Sequence, residues 1–236
     1  VPGLSGGAMP VPGEDVTDLE RRVLAAMPSQ LLEKVRALPQ SERKLYHTVL
    51  SGFAETGQPP GPDTLERVAA QSGVDASVVF AKLGNLDMVL TDPGHRLGVR
   101  VAYPFSAEPT PHQVMIDGGP TVYAMCAIDA LGIPRMLRRT GVAISVEPET
   151  EAPIEVLMQD GQVTWKPPDC TVLLGRAARC ADAASGFCPF INFFTSPHSA
   201  RAWTARHPDV EVWQLGQDTA LRLARRSFGD LLTVAA

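Results

Sequence analysis

The sequence has little of what most metal and redox folds are built from. Its 236 residues hold only four cysteines, Cys126, Cys170, Cys180 and Cys188, and no two stand in CxxC spacing. That excludes a small disulfide scaffold and argues against zinc-ribbon and thioredoxin-type sites. The five histidines are scattered and none forms HExxH. GxSxG, a P-loop and a Ser-His-Asp signature are all missing. No apolar run approaches the ~20 residues that cross a bilayer, so a soluble protein is expected. No basic segment followed by an apolar one opens the chain, so no secretory signal is read. Reduced thiols in a cytoplasmic protein fit this pattern best. There is no basic excess: the net charge is −5, which argues against an obligatory nucleic-acid binder. Internal repeats and low-complexity tracts are also absent.

What is there suffices for a globular protein. With 44% hydrophobic and 20% charged residues, the chain can bury a sizeable core. Residues 1–14, rich in Gly and Pro, read as a flexible lead. Thr17 and Glu20 are spaced as a capping box, and Val16, Leu19, Val23, Leu24 and Met27 fall on one helical face. Further helices are expected at 30–38 and 41–54, the latter broken by GQPPGP. TLERVAAQSG and VDASVVFAKLGNL form a helix-turn-helix-like pair with Asp75 as N-cap, and a hairpin turning at Pro93-Gly94 follows. These elements predict a helical, winged-helix-like domain over 15–105. A linker at 106–111 then leads into an α+β unit over 106–236. That unit is expected to hold strands at 112–116, 142–146, 154–158, 162–166, 171–175, 190–194 and near 210–215, with a hairpin at Asp160-Gly161. Helices are expected through Cys126, ending before Pro134, and at 199–206 and 217–228. The fold class is therefore α+β with antiparallel strands.

The run TVYAMCAIDALGI (121–133) carries the most chemistry. If it is helical, Cys126 and Asp129 stand at i and i+3 on one face. An apolar setting raises a carboxyl pKa toward values useful for proton handling. The plainer reading is a core thiol and a structural carboxylate. Asp is a poor helix-interior residue, which favours a site. Cys188, in GFCPFINFF, precedes Pro189 at what reads as a strand entry, where a side chain can face a cleft. Two thiolates and a carboxylate suit a soft metal. Cys170 and Cys180 read as inert thiols. A zinc site from Cys170, Cys180, Cys188 and His198 has spacings of 10, 8 and 10, which match no common pattern. The would-be DNA-reading helix, DASVVFAKLGNLD, holds one lysine and two aspartates, a poor set for phosphate contacts.

Taken in order, YAMCAID, GFCPFINFF and SPHSARAWTARHPDVEVWQLGQ resemble the alkylmercury lyase family, the organomercurial lyases of bacterial mercury resistance. The resemblance runs over residues 40–230 and is strongest between Tyr123 and Gly216. It implies a helical N-terminal part followed by an α+β catalytic part. It also implies that Cys126, Asp129 and Cys188 form the catalytic set, with no dissociable cofactor. The implied substrate is a small organomercurial. The Hg(II) product would sit on Cys126 and Cys188, with Asp129 as a further ligand, until cellular thiols or mercuric reductase remove it. Neither nucleic acid nor membrane is an implied partner. Tyr123, one turn before Cys126 on a helix, would orient the site.

Two departures from the family pattern stand out. Glu147 falls near the place of a further cysteine of some members. Pro189 follows Cys188 where some members have a second cysteine. Two rival readings remain: a non-catalytic protein holding Cu, Zn or Hg on the same fold, and a thiol-based metal-responsive regulator.

Overall fold

The computed structural model describes Arg21, Val23 and residues 30–177 and 183–233. The 1–14 lead, the 17–20 capping box, most of the first expected helix and Cys180 lie outside the described residues. Helix α1 (Leu31–Ala37) buries Leu31 and Val35. Helix α2 (Gln40–Thr56) buries Leu45, Tyr46, Val49, Leu50 and Phe53, one apolar stripe of helical period. It stops at Gly57, whose φ of 79° is left-handed. Helix α3 (Pro62–Gln71) opens on a proline, which spares an N–H that has no helical partner there. Helix α4 (Ala76–Asn85) is capped by Asp75, which accepts the Val78 N–H at 3.1 Å. Strands β1 (Val89–Asp92) and β2 (His95–Ala102) then form the expected hairpin, with Gly94 at φ 83°.

The hairpin belongs to the main sheet. Strand β3 (Phe105–Ser106) straddles the boundary expected at residues 105 and 106. It pairs with β2 on one side and with β5 (Thr121–Ala124) on the other. The sheet continues through β4 (His112–Ile116), β6 (Gly141–Val146), β7 (Pro153–Gln159) and β8 (Gln162–Lys166). Its eight strands run in the order β1-β2-β3-β5-β4-β6-β7-β8, every pair antiparallel. Asp160 and Gly161 turn β7 into β8 with φ values of 50° and 79°. Phe53 of α2 stacks on Phe105 with ring centroids 5.1 Å apart, and one hydrophobic cluster takes residues from both sides of the boundary.

A second, three-stranded sheet places β9 (Thr171–Ala177) between β10 (Asn192–Phe194) and β11 (Val210–Leu215). Helix α5 (Ala127–Leu137) follows β5. The short helix α6 (Ala183–Gly186) and a 3-10 turn at Cys188–Phe190 precede β10, and α7 (Pro197–Arg206) and α8 (Gln217–Phe228) complete the unit. Among the described residues, no helix is long and apolar enough to cross a membrane.

Three local expectations are corrected. The run 121–133 is not one helix: Thr121–Ala124 is strand, with Val122 and Ala124 buried in alternation. β-Branched and aromatic residues at period two favour the strand there. The helix continues through Pro134 to Leu137. Residues 127–134 are all buried, so core packing outweighs the lost backbone bond at Pro134. The segment 190–194 is strand only from Asn192. Pro189, with its fixed φ, belongs to the preceding 3-10 turn.

Candidate active site

The strand-to-helix junction delivers the first two groups. Cys126 is the N-cap of α5, with extended φ −157° and ψ 178°, and Asp129 lies in the first helical turn. Asp is at home there, near the positive end of the helix, rather than being a misfit in a helix interior. The third group comes from the 3-10 turn that begins at Cys188. A backbone bond from Ala127 N to Ile191 O, 3.0 Å, ties that turn to the start of α5. One sulfur from each cysteine and one carboxylate oxygen of Asp129 all lie within 4.8 Å of one another. Among the described residues no other group of three His, Cys, Asp or Glu donors meets this way. Cys126, Asp129 and Cys188 are 3%, 4% and 6% exposed, so the cluster is enclosed. The surface clefts lined by Arg135 and Arg225, of about 600 and 630 Å³, lie toward the other end of α5.

Burial governs the electrostatics. It pushes the Asp129 carboxyl up to about 7, against the pull of the Cys126 thiol and backbone N–H. Burial also pushes Cys126 well up. The neighbouring Cys188 sulfur and the negative charge of Asp129 add to the effect. Cys188 is drawn down by the neighbouring Cys126 thiol, but burial and the nearby charges of Asp129 and Asp87 outweigh that and leave it raised. Both thiols are therefore protonated at rest, and a base is needed to load a metal. Asp129 is the base at hand. Its Oδ2 atom is enclosed without a hydrogen-bond partner, so one carboxylate oxygen is free to take a proton.

Residues that the sequence did not single out hold the turn. Asn192 donates from Nδ2 to the carbonyl of Pro189 at 2.8 Å. Its Oδ1 meets His112 Nε2 at 3.2 Å, and His112 Nδ1 meets Ser145 Oγ at 2.9 Å. Burial lowers the His112 pKa to about 4, so the ring is neutral and serves as a fixed donor–acceptor. Glu147 is also buried. Its carboxylate accepts the Thr195 N–H at 2.7 Å and the Thr195 hydroxyl at 2.5 Å, which pins the exit of β10. Tyr123 points away from buried Val122 and Ala124 on β5. Another tyrosine, Tyr103, is enclosed, and burial together with the negative charges of Cys188, Asp87, Asp129 and Cys126 pushes its hydroxyl pKa far up.

Cys170 stands apart. It is a free thiol before β9, pushed up to about 11 by burial and by Glu147 and Asp169. It shares a surface cleft with His198, and neither residue joins Cys188 in a three-donor group. Cys180, the fourth member of that set, lies outside the described residues.

Two soft thiols and a carboxylate raised toward neutrality, enclosed together on an α+β frame, are a donor set suited to a soft metal with an acid–base group beside it. The comparisons make that class specific. The sequence model of the family described as alkylmercury lyase matches residues 105–229. The alkylmercury lyase of Staphylococcus epidermidis is 30% identical over 182 residues, covering 77% of this chain and 80% of the relative. That of Bacillus cereus is 29% identical, covering 69% and 72%. A crystal structure of the mercury-bound form of MerB2 overlays with a TM-score of 0.65 at 22% identity, covering 92% of this chain and 98% of that one. The chain belongs to the alkylmercury lyase family, and it is an enzyme.

Proposed function

We propose that this chain cleaves the carbon–mercury bond of small organomercurials by protonolysis at Cys126, Asp129 and Cys188. The observation that carries the reading is the enclosure of two thiols and one half-unpartnered carboxylate within 4.8 Å. A mercury cation is a soft acid and prefers thiolate. The first cysteine binds the metal as its thiol proton passes to the Asp129 carboxylate. The second sulfur then adds, and its proton leaves with the displaced ligand X. The added sulfur density weakens the Hg–C bond. That bond breaks with its electron pair on carbon, and protonated Asp129 supplies the proton. In sum, R–Hg–X and two thiols give R–H, HX and Hg(II) bridged by Cys126 and Cys188, with Asp129 near enough to be a further ligand. A pKa of about 7 suits a group that must both take and give the proton near neutrality. Nothing in this scheme needs a resident cofactor. External thiols, and mercuric reductase in the cell, would accept the Hg(II).

The test is turnover of phenylmercuric acetate with excess small thiol, following benzene and released Hg(II). Multiple turnovers are expected, abolished in Cys126→Ser and in Cys188→Ser. Full activity in either variant would remove that cysteine from the mechanism. Tight mercury binding without benzene would instead make the protein a metal-binding member of the fold.

A further inference from the structure

We propose that the two adjoining clefts at the far end of α5 form a docking site for an acidic peptide segment of a partner protein, one with apolar side chains among its carboxylates. Six arginines line these clefts: Arg135, Arg138 and Arg139 at the end of α5, and Arg222, Arg225 and Arg226 on α8. Each set has the spacing i, i+3 and i+4, which keeps neighbours on one side of a helix. Arg135 and Arg225 line both clefts and join them into one surface. The chain has a net charge of −5, yet six of its 21 basic side chains gather here, against two lining carboxylates, Asp160 and Asp230. Among the described residues, no ion pair neutralises Arg135, Arg138, Arg225 or Arg226. Arg139 donates to the carbonyl of Asp117, and Arg222 donates to the Thr219 hydroxyl at 3.0 Å. Those two bonds orient a guanidinium without cancelling its charge.

Cations near a helix C-terminus complement the helix dipole, which accounts for Arg135, Arg225 and Arg226 in the last turns. It does not account for Arg139, beyond the end of α5, or for Arg222, more than a turn before the end of α8. Like charges at these spacings repel one another, and an anionic partner relieves the repulsion. Three features define that partner. Every cation is arginine, whose planar fork takes a carboxylate on two parallel N–H donors. The two sets stand on separate helices, whose axes pack about 8–10 Å apart, so one small anion cannot meet both sets. A chain with several anionic groups can. The clefts also present apolar surface, from Met158, Val163 and Leu221 on one side and Leu32 on the other. A polyphosphate has nothing to lay on that surface. Single-stranded nucleic acid favours aromatic platforms, and no aromatic ring lines either cleft. Acidic motifs are the usual partners of such arginine clusters, and an acidic segment with interspersed leucines meets both the charge and the apolar surface.

The test is fluorescence anisotropy on the full chain, with a labelled twelve-residue peptide repeating Glu-Glu-Leu as the probe. The same peptide with serine for leucine, a twelve-nucleotide oligothymidylate and tripolyphosphate serve as competitors. The leucine peptide is expected to bind about tenfold more tightly than any of the three. Joint Arg135→Glu and Arg225→Glu substitution is expected to weaken it by about ten- to a hundredfold, and Arg135→Gln with Arg225→Gln by about three- to tenfold. Urea midpoints report whether each variant is folded, and the neutral pair decides the matter if the charge-reversed pair is not. Unchanged affinity in the folded neutral pair overturns the site. A serine peptide as tight as the leucine peptide overturns the apolar part of the recognition and the proposal with it. Oligothymidylate or tripolyphosphate binding as tightly as the leucine peptide would make the surface a nucleic-acid or phosphate site, and either result overturns the peptide assignment. No mercury enters the measurement, so its outcome is independent of the proposed lyase reaction.

Discussion

Asp129 ties the chemistry of this site to the stability of the fold. Its carboxyl has an ordinary value near 3.8 and is raised to about 7 by burial. A raised carboxyl pKa means that the folded state prefers the neutral form. The stability it contributes is therefore fully present below about pH 4 and is lost as the pH rises through about 7. Three units correspond to about 4 kcal/mol as an upper bound. His112 has the opposite sign. Its pKa is depressed to about 4, so its contribution is present above the ordinary histidine value and is lost as the pH falls through about 4. Comparing Asp129→Asn with wild type cancels the histidine. In urea unfolding, Asp129→Asn is expected to be more stable at pH 8 by up to about 4 kcal/mol, with the gap closing near pH 4. A gap that does not change with pH would mean that the carboxyl is not held neutral. The same variant is expected to bind HgCl2 but release no benzene from phenylmercuric acetate. Undiminished cleavage would take Asp129 out of the proton transfer.

At the scale of elements, two short pieces determine whether the site is assembled. The 3-10 turn at Cys188–Phe190 is fixed through Pro189 O by Asn192, and Asn192 by His112. Asn192→Ala removes that tether without touching a thiol or carboxylate of the site. Its expected effect is a loss of about tenfold in kcat, as a misplaced reacting group gives, with Hg(II) more readily withdrawn by competing thiol. Wild-type kcat and retention would show that the turn holds itself. Helix α5 is fixed from behind. A Cβ on Gly132 would stand 2.3 Å from the ring of Phe228 on α8, so Gly132→Ala is expected to cost about 1–3 kcal/mol in urea unfolding. Period and punctuation made most elements legible in the sequence: the stripe of α2, the Asp75 cap, the Pro93-Gly94 and Asp160-Gly161 turns, and the strands of the C-terminal part. The spacing of Cys126 and Asp129 announced a shared pocket, although the junction is strand then helix. The sequence alone hid what depends on distant partners. Asn192 reads as one polar residue in an apolar strand and His112 as a lone histidine. Each acquires its meaning from the other, 80 positions away.

At the scale of the molecule, the N-terminal part packs against the C-terminal part in one hydrophobic cluster. Tyr46 of α2 donates its hydroxyl to the backbone carbonyl of Tyr103 at 2.8 Å, and burial, with the charge of Asp129, keeps that hydroxyl protonated. The Phe53–Phe105 stack and the continuous eight-stranded sheet carry packing across the sequence boundary. Such coupling predicts that the described body unfolds as one unit. The three tryptophans, Trp165, Trp203 and Trp213, all lie in the C-terminal part, whereas circular dichroism at 222 nm also draws on α1 to α4. The urea midpoints from fluorescence and from circular dichroism are expected to coincide. Phe53→Ala, which empties a fully buried stacked ring, is expected to lower both midpoints together by about 3–5 kcal/mol of stability. Turnover of phenylmercuric acetate in mild urea should then fall in step with the folded fraction, because no tryptophan-bearing half survives to hold the site. Separated midpoints, or a Phe53→Ala protein whose tryptophan transition stays put, would mean that the two parts of the chain fold independently. The site would then have to keep its shape without the N-terminal part.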